Sequence, residues 1–376
     1  MKWSSRPVIM IGNGCRDADL TPLLALGVPI LSSWPAADLI DNDHPLYFGR
    51  TGVYGQRCAN RILTECDMVV AIGNRLSLFN IGHAGLGDKR LVMVDIDENE
   101  VARFPQAEWI NMDAAQASHY FGPGPDRNQD WATWMATCDG WRRMWPWFDP
   151  SHVSKNGYIN SYEFIHKLQP YLRPDEVIVT DMGVALCGAH QVLKLRPPQR
   201  LMTSGGLGEM GVALPAAVGA SFARDKGEVL CLHCDGGMLF NLQELQTIVH
   251  HKLPIKIVVF CNDGYGMLKS TQKNLGYDYA GVNAATGVSL PSYSRLAYAF
   301  GIQAGHVKTW DDFARIMPNF FEAEEPSLLE VFIDPEQAFT PKLQPIMVDG
   351  KPMPPRFDQL SPILDDEARS WQNAME

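Results

Sequence analysis

The sequence lacks a long hydrophobic run, a surplus of basic residues and a signal-peptide pattern. No apolar run reaches the roughly 18 residues that a membrane-spanning helix needs, and residues 1–7 do not have the apolar core of a secretion signal. The 32 lysines and arginines are outnumbered by 43 aspartates and glutamates, which leaves a net charge of −11. This balance does not favour binding to nucleic acid or to a membrane surface. We therefore expect a cytoplasmic protein.

Paired cysteines are also scarce. Eight cysteines are scattered along the chain, and only Cys231 and Cys234 have the Cys-x-x-Cys spacing of a redox or zinc site. Both lie along a predicted strand, and no second pair is nearby. We expect buried, reduced thiols instead.

The size and composition are those of a protein with two globular domains. The chain has 376 residues, of which 46% are hydrophobic and 20% charged. Short, nearly continuous apolar segments alternate with helical patterns, which is typical of parallel sheets covered on both faces. The predicted fold is therefore α/β, with two doubly wound parallel-sheet domains. The predicted boundaries are a first domain at 1–125, a linker at 126–157, a second domain at 158–345 and a C-terminal tail at 346–376.

Two neighbouring strand ends give the strongest functional signal. A predicted strand at 228–233 leads to Asp235-Gly236-Gly237, and another at 255–260 leads to Asn262-Asp263-Gly264. A helical pattern at 239–250 joins them. Strands joined by such a crossover lie close together in a parallel sheet, and ligands collect at their carboxyl ends. We expect Asp235 and Asn262, which are 27 positions apart (262 minus 235), to face a common point.

These residues suit a hard cation and a phosphate. Mg²⁺ prefers oxygen ligands in an octahedral array, and Asp235, the Asn262 amide oxygen and a backbone carbonyl near Gly264 can supply them. Gly236 and Gly237 allow an anion to approach the backbone closely, and their N–H groups can donate to phosphate at the start of the following helix. The stretch therefore predicts a site for Mg²⁺ and a diphosphate.

A second glycine-rich stretch allows two interpretations. Gly206-x-Gly208-x-x-Gly211 precedes a predicted helix at 212–223, and Asp235 lies about 20 residues further on, as in a dinucleotide fingerprint. A match of this kind is weak by itself. It leaves an NAD(P)-dependent oxidoreductase open, although the Asp-Gly-Gly and Asn-Asp-Gly pair favours the diphosphate interpretation.

Taken together, these stretches resemble those of thiamine diphosphate-dependent enzymes, in particular the acetolactate synthase-like family. The family motif begins with Gly-Asp-Gly and ends with Asn-Asn, where this chain has Cys234-Asp235-Gly236 and Cys261-Asn262. The segment Ser204-Gly205-Gly206-Leu207-Gly208, followed by Met210 and Gly211, is similar to the family segment that holds the aminopyrimidine ring. The resemblance covers nearly the whole chain.

The resemblance implies thiamine diphosphate and Mg²⁺ as cofactors. In catalysis the Gly208 carbonyl would accept from the 4′-amino group, while Met210 would donate its N–H to the ring and bend the cofactor. Asp235, Asn262 and Gly264 would bind the metal. The implied cofactor-binding set is Gly183, Gly208, Met210, Asp235, Gly236, Gly237, Asn262, Gly264, Tyr265, Gly266 and Met267.

The first predicted domain resembles the middle domain of the same family. Gly49-Arg50-Thr51-Gly52, Gly73-Asn74-Arg75 and Asp95-Ile96-Asp97 match segments of that domain. Some family members bind FAD there, and the resemblance leaves FAD open for this chain, with Arg75 as the one contact that carries over. Gly12-x-Gly14 could cradle a nucleotide phosphate, but a tight turn after a strand explains it better.

The chain departs from the family where the substrate is expected. After Asp181 the family commonly has Gly-Gln-His, whereas this chain has Gly183-Val184-Ala185. Leu268 stands where simple 2-oxo acid decarboxylases have a glutamate that helps to protonate the enamine. Because leucine cannot donate a proton, the resemblance favours a second carbonyl compound as the acceptor. Lys269 could meet a substrate carboxylate or remain solvated.

The family's first domain supplies a glutamate that activates the pyrimidine ring, and this sequence has no counterpart of it. No segment of roughly 150 residues is left over to form such a domain. We expect a separate chain with a pyrimidine-binding domain to supply the glutamate, in a heterotetramer with two copies of each chain.

Three functions compete on this evidence. The first is one subunit of a split thiamine diphosphate- and Mg²⁺-dependent lyase or carboligase. It would decarboxylate a 2-oxo acid such as pyruvate and join the enamine to a second carbonyl acceptor, and it would be active only with its partner. The second is a binding or regulatory subunit without turnover, and the third is the NAD(P)-dependent oxidoreductase.

Overall fold

The chain divides into two compact units. The computed structural model describes residues 4–82, 86–121, 131–348, 351–353 and 355–364. Met1–Ser151 and Thr340–Glu376 form the first unit, and His152–Phe339 forms the second. This division differs from the predicted boundaries at the linker and at the tail, and those boundaries remain a prediction.

The first unit is built on a six-stranded parallel sheet. Its strands are β1 (Pro7–Ile11), β2 (Ile30–Ser32), β3 (Tyr47–Arg50), β4 (Met68–Ile72), β5 (Arg90–Val94) and β6 (Glu108–Ile110). They lie in the order β3-β2-β1-β4-β5-β6. The α-helices of this unit are α1 (Thr21–Leu24), α2 (Arg57–Glu65), α3 (Leu78–Ile81), α4 (Glu98–Ala102), α5 (Ala114–Tyr120) and α6 (Ala132–Met144).

Strands β1 and β4 lie at the centre of this sheet because their side chains are apolar throughout. All residues of both strands are buried, as expected for strands covered on both faces. Gly12 and Gly14 follow β1, and a Cβ atom at Gly12 would lie only 2.0 Å from the Gly73 carbonyl oxygen. Their N–H groups donate to the carbonyl groups of Ile72 and Gly73. These contacts support the tight-turn interpretation of Gly12-x-Gly14.

The second unit has its own six-stranded parallel sheet. Its strands are β7 (Val177–Thr180), β8 (Arg200–Thr203), β9 (Val229–Cys234), β10 (Ile255–Cys261), β11 (Gln303–Val307) and β12 (Ser327–Phe332), in the order β11-β12-β10-β9-β7-β8. The α-helices are α7 (Ser161–Leu168), α8 (Val184–Val192), α9 (Ala213–Ala223), α10 (Asp235–Met238), α11 (Glu244–His251), α12 (Gly266–Asn274), α13 (Tyr293–Ala299) and α14 (Trp310–Glu322). The predicted fold class, two doubly wound parallel-sheet α/β domains, is confirmed.

Four short strands follow the second sheet in the sequence. They are β13 (Lys342–Leu343), β14 (Ile346–Val348), β15 (Lys351–Met353) and β16 (Leu360–Ser361). β13 pairs with β16 and β14 pairs with β15, in both cases antiparallel. Among the described residues, no helix is long and apolar enough to cross a membrane.

The connection between β9 and β10 is not the single helix that the sequence predicted. It consists of α10, a 3₁₀ turn at Leu239–Asn241, and α11. Leu239 and Phe240 are 41% and 58% exposed, so the start of the predicted helix has no core-facing apolar stripe. The helical pattern was correct for its second half only.

The cysteines behave as the sequence predicted. All eight are free, and six of them are buried, while Cys234 and Cys261 are partly buried. Burial raises the pKa of the Cys231 and Cys234 thiols, which keeps them protonated. Among the described residues, no group of three or more His, Cys, Asp or Glu side chains could hold a metal. A zinc site at Cys231-x-x-Cys234 is therefore not formed in this part of the chain.

Arg57 ties the C-terminal residues of the first unit to α2. Its Nε lies 2.5 Å from Asp149 Oδ2, both side chains are at least 96% buried, and its guanidinium also donates to the carbonyl groups of Leu360 and Pro362. We expect Arg57→Ala to destabilise the protein by about 3–5 kcal/mol, because it leaves a buried carboxylate uncompensated. Thermal unfolding measures this, with Arg90→Ala, which breaks an exposed pair with Glu108, as the control. Equal effects of the two variants would contradict the assigned role of Arg57.

Glu176 makes the stability of the second unit depend on pH. Glu176 lies buried immediately before β7 and accepts a hydrogen bond from the Arg173 N–H. Burial raises the pKa of its side chain from 4.5 to about 7. Between these two values the unfolded chain loses the proton while the folded chain keeps it, so stability falls as pH rises. The full cost, present above pH 7, is about 3 kcal/mol.

Glu176→Gln should remove this cost. We expect the variant to be more stable than the unchanged protein at pH 8 and similar to it near pH 4.5, as measured by thermal unfolding. Glu324→Gln, at an exposed position, is the control. A stability gain that is the same at both pH values would show that titration of Glu176 is not the cause.

Candidate active site

Asp235 lies buried where β9 and β10 end. The two strands pair in parallel with Phe260 beside Cys234, so the residues that follow them are brought together. Asp235 is 2% exposed and accepts hydrogen bonds from three backbone N–H groups, those of Gly236 (2.8 Å), Asn262 (2.8 Å) and Gly264 (3.4 Å). The sequence prediction that Asp235 and Asn262 face a common point agrees with this geometry.

Three polar groups converge at this point in a way that suits a cation. The inward-facing atom of the Asn262 amide lies 2.8 Å from the Gly264 carbonyl oxygen and 3.1 Å from Asp235 Oδ1. With the amide nitrogen inward, it donates a hydrogen bond to both oxygens. With the amide oxygen inward, its distances to the Gly264 carbonyl oxygen and to Asp235 Oδ1 are close to the edge length of a Mg²⁺ octahedron, about 3.0 Å for Mg–O distances of about 2.1 Å.

The electrostatics of the site also favour a bound cation. Burial raises the pKa of Asp235 from 3.8 to about 7, although its backbone hydrogen bonds act in the opposite direction. A buried carboxylate is stabilised by a neighbouring positive charge. The residues present therefore fit a magnesium ion, with Asp235, the Asn262 amide oxygen and the Gly264 carbonyl as its protein ligands.

Lys269 has neither of the two roles that the sequence suggested. It is 4% exposed, and its Nζ donates to the carbonyl groups of Asn262 (3.4 Å) and Pro335 (3.3 Å). It is thus neither solvated nor directed at a substrate. Its contacts hold the backbone of Asn262 in place from below the site.

The glycines of the two motifs are needed because other groups occupy the space of their side chains. A Cβ atom at Gly264 would lie 1.9 Å from the Val282 carbonyl oxygen, and the φ angle of +138° also favours glycine. At Gly236 it would lie 2.5 Å from the Tyr265 ring, and at Gly237 1.9 Å from Asp181 Oδ2. The Gly236 N–H, which we predicted to donate to phosphate, donates to Asp235 in this structure.

One cleft brings together most of the predicted cofactor-binding residues. The predicted residues that line it are Gly183, Met210, Gly236, Gly237, Asn262, Gly264, Tyr265, Gly266 and Met267. Asp235 lies buried behind this lining, and Gly208 belongs to the loop that carries Met210. The cofactor roles of these residues stay predictions, but their common location is what a shared ligand requires.

Sequence reasoning did not assign a cofactor contact to five further lining residues. They are Met182, Val184, Cys234, Leu268 and Phe339. Met182 and Val184 flank Gly183, so their position after β7 is a local signal. Phe339 lies 72 positions beyond Met267 (339 minus 267), and no local pattern identifies it.

The loop that carries Met210 joins β8 to α9. Gly208 and Gly211 have φ angles of +66° and +84°, and Leu207 between β8 and Gly208 is 90% exposed. The Met210 side chain lies close to the Asp235 turn. Its Cε is 3.5 Å from the position that a Cβ atom of Gly236 would have. The loop therefore contributes one wall of the cleft.

Asp235 does not suit the role of the acidic residue in a dinucleotide-binding motif. A ribose-binding acid must be open to the ligand, whereas Asp235 is buried and bonded to the backbone of its own turn. In the first unit, Arg75 forms an ion pair with Glu100 at 2.6 Å. FAD binding stays a prediction that depends on Arg75.

Comparison with known proteins gives a consistent result. Residues 1–117 match the model of the central domain of thiamine pyrophosphate enzymes, and residues 181–331 match the model of their C-terminal thiamine pyrophosphate-binding domain. The chain is 29% identical to a probable acetolactate synthase large subunit of Methanocaldococcus jannaschii, over 96% of this chain and 65% of the relative.

Two further relatives have the same description. The chain is 28% identical to the acetolactate synthase isozyme 2 large subunit of Escherichia coli, over 91% of this chain and 62% of the relative. It is also 28% identical to the acetolactate synthase large subunit of Porphyra purpurea, over 92% of this chain and 60% of the relative. The chain thus spans about three fifths of the length of the curated relatives it matches.

The matched ranges fall within the two units described above, and the C-terminal match contains both Asp235 and Asn262. The chain therefore belongs to the thiamine pyrophosphate enzymes, with their central and C-terminal domains, and is similar within them to acetolactate synthase large subunits.

Proposed function

We propose that this chain is one subunit of a split enzyme that uses thiamine diphosphate and Mg²⁺ to decarboxylate a 2-oxo acid and join the product to a second carbonyl compound. The observation that supports it best is the convergence of Asp235, Asn262 and the Gly264 carbonyl beside a cleft lined by Met210. A pyruvate-like substrate follows from the similarity to acetolactate synthases.

The residues of the second unit would hold the cofactor from two sides. Asp235, Asn262 and Gly264 would hold Mg²⁺, and Gly183, Gly236, Gly237, Tyr265, Gly266 and Met267 would surround the diphosphate. Gly208 and Met210 would contact the pyrimidine ring. When bound, thiamine diphosphate would supply a nucleophilic carbon that bonds to the substrate carbonyl carbon, and a positively charged thiazolium ring that takes up the electrons released as carbon dioxide leaves.

The chain's own contribution at the reacting end is an apolar wall. Met182, Leu268 and Phe339 line the cleft, and none of them can donate or accept a proton. An apolar wall excludes water and does not protonate a carbon centre. This supports capture by a carbonyl acceptor over release of an aldehyde.

A partner chain would supply the missing acid. Among the described residues that line the cleft, none is a glutamate. Leu207, Phe240 and Leu268 are exposed by 90%, 58% and 49%, although each lies next to or within the candidate site. Exposed apolar side chains around a site suit a surface that another protein covers. We therefore propose a heteromer with a pyrimidine-binding chain.

Titration of the full chain with thiamine diphosphate and Mg²⁺ tests this function. We expect micromolar binding that requires the metal, and consumption of pyruvate only when a chain with a pyrimidine-binding domain is added. Binding without turnover in the presence of that chain would instead indicate a regulatory subunit. Binding of NAD(P) without thiamine diphosphate would contradict the proposal.

Leu268 offers a direct test of the carbonyl-acceptor step. Leu268→Glu should shift the product from the joined compound toward the free aldehyde, by at least about tenfold in their ratio, because a glutamate can act as a general acid there. The measurement is the product ratio of the complex with its partner chain. Leu275→Glu, at the exposed end of α12, is the control and should leave the ratio unchanged.

A further inference from the structure

Asp181 forms a hydrogen bond with the last residue of the loop that carries Met210. It follows the last residue of β7, its side chain is fully buried, and its Oδ1 accepts a hydrogen bond from the Gly211 N–H at 2.7 Å. Gly211 ends the loop just before α9, and its φ of +84° turns the chain back toward the helix. Asp181 thus fixes the end of the loop to the residue that follows β7.

The other oxygen of the same carboxyl contacts the Asp235 turn. Asp181 Oδ2 occupies the space where a side chain of Gly237 would be, 1.9 Å from the ideal Cβ position. This explains why the turn needs glycine at its third position. One carboxyl group therefore touches both the loop and the turn, which are the two predicted parts of the cofactor site.

His233 is the partner of Asp181 on β9. Its Nδ1 lies 3.4 Å from Asp181 Oδ2, and both side chains are fully buried. The same Nδ1 lies 3.0 Å from the Cys234 backbone nitrogen, from which it accepts a hydrogen bond when it is unprotonated. The imidazole thus lies between the Asp181 carboxyl and the backbone that leads to Asp235. It accepts a hydrogen bond from that backbone and contacts the carboxyl by packing.

Asp181 and His233 are buried polar side chains in a largely apolar sheet, and the Asp181 carboxyl also accepts from backbone N–H groups, among them that of Gly211. Polar groups in such surroundings lose more when one partner is removed than exposed groups do, because water cannot replace the partner. Loss of either side chain should therefore let the loop shift relative to the turn, while the turn keeps its own hydrogen bonds to Asp235.

We propose that Asp181 and His233 form a positioning pair that sets the spacing between the Gly208–Met210 loop and the Asp235 turn. This inference rests on the proposed function, since the loop and the turn would then hold the two ends of one thiamine diphosphate molecule. Neither residue lines the cleft. The pair acts on the ligand only through the segments that it joins.

Two ligands of the full chain separate this role from general support of the fold. Inorganic pyrophosphate with Mg²⁺ probes the turn alone, whereas thiamine diphosphate with Mg²⁺ probes the turn and the loop together. We expect Asp181→Ala and His233→Leu to weaken thiamine diphosphate binding by about tenfold or more, with pyrophosphate binding changed less than about twofold. Calorimetric titration measures both.

A conservative replacement provides the internal check. In His233→Asn, the side-chain oxygen can accept from the Cys234 N–H as Nδ1 does, so this variant should recover most of the affinity that His233→Leu loses. Asp175→Ala, at an exposed position before the other end of β7, is the matched control and should bind both ligands normally. Equal loss of both ligands, or no loss of either, would overturn the inference.

Hydrogen exchange tests the positioning without any ligand. We expect faster exchange across residues 204–211 in Asp181→Ala than in the unchanged chain, because the Gly211 N–H loses its acceptor. His233→Leu keeps that acceptor but removes the side chain beside it, so we expect a smaller increase in the same residues. Unchanged exchange there would overturn the inference even if thiamine diphosphate binds. Failure of the unchanged chain to bind thiamine diphosphate, with the exchange result as expected, would instead count against the proposed function and against the role of the pair in cofactor binding.

Discussion

Asp235→Ala is expected to lose Mg²⁺-dependent binding of thiamine diphosphate by a factor on the order of 100 or more, which corresponds to about 2.7 kcal/mol. Asp235 is the only side-chain carboxylate among the three proposed ligands, and the other two are neutral oxygens. Without its charge, the site offers a doubly charged ion little compensation for lost water. Calorimetric titration of the full chain with and without Mg²⁺ measures the effect.

The control for this variant is Asp278→Ala, an exposed aspartate of the same unit. It should leave both the affinity and the Mg²⁺ dependence unchanged. Thermal unfolding of Asp235→Ala shows whether the fold persists, since burial of an aspartate with a pKa of about 7 is itself a cost to the folded state. Unaltered cofactor affinity in a folded Asp235→Ala protein would refute the assigned site.

Gly264→Ala should have the second largest effect. The added methyl group would lie 1.9 Å from the Val282 carbonyl oxygen, so the Gly264 segment must move and take its own carbonyl away from Asn262. We expect cofactor affinity in the presence of Mg²⁺ to fall by roughly 30-fold or more, about 2 kcal/mol. The same titration measures it, together with the Mg²⁺ concentration needed for half-saturation.

Gly276→Ala is the control that distinguishes the steric clash at Gly264 from the backbone strain of placing alanine at a positive φ angle. Gly276 also has a left-handed φ of +72°, but no atom lies within 4 Å of its Cβ position. This variant should cost about 1–2 kcal/mol of stability and leave cofactor binding unchanged. If both variants bind thiamine diphosphate like the unchanged chain, the Gly264 carbonyl is not a ligand.

The location of the site could be predicted from the sequence because it depends on local patterns. Two apolar strands, each followed by an oxygen-bearing side chain and glycines, predict adjacent strand ends in any parallel sheet. The structure has β9 and β10 paired in this way. The fold class was predictable for the same reason, since buried parallel strands have nearly continuous apolar sequences.

Other features depend on contacts between distant residues and leave no local signal. The sequence allowed a solvated position for Lys269 on α12. In the structure its Nζ donates a hydrogen bond to the carbonyl group of Pro335, which is 66 positions away in the chain. Asp181 follows β7 and Gly237 lies in α10, 56 positions away (237 minus 181), so the need for glycine at 237 appears only in three dimensions. The break between α10 and α11 likewise follows from the exposure of Leu239 and Phe240.

A crystal of the full chain with thiamine diphosphate and Mn²⁺, which replaces Mg²⁺ and scatters anomalously, tests the central claim most directly. The account predicts one anomalous peak within about 2.2 Å of an Asp235 carboxylate oxygen, the Asn262 side-chain oxygen and the Gly264 carbonyl oxygen, with diphosphate oxygens completing the shell. An anomalous peak that contacts none of these three groups, or a diphosphate bound away from the Asp235 turn, would contradict it.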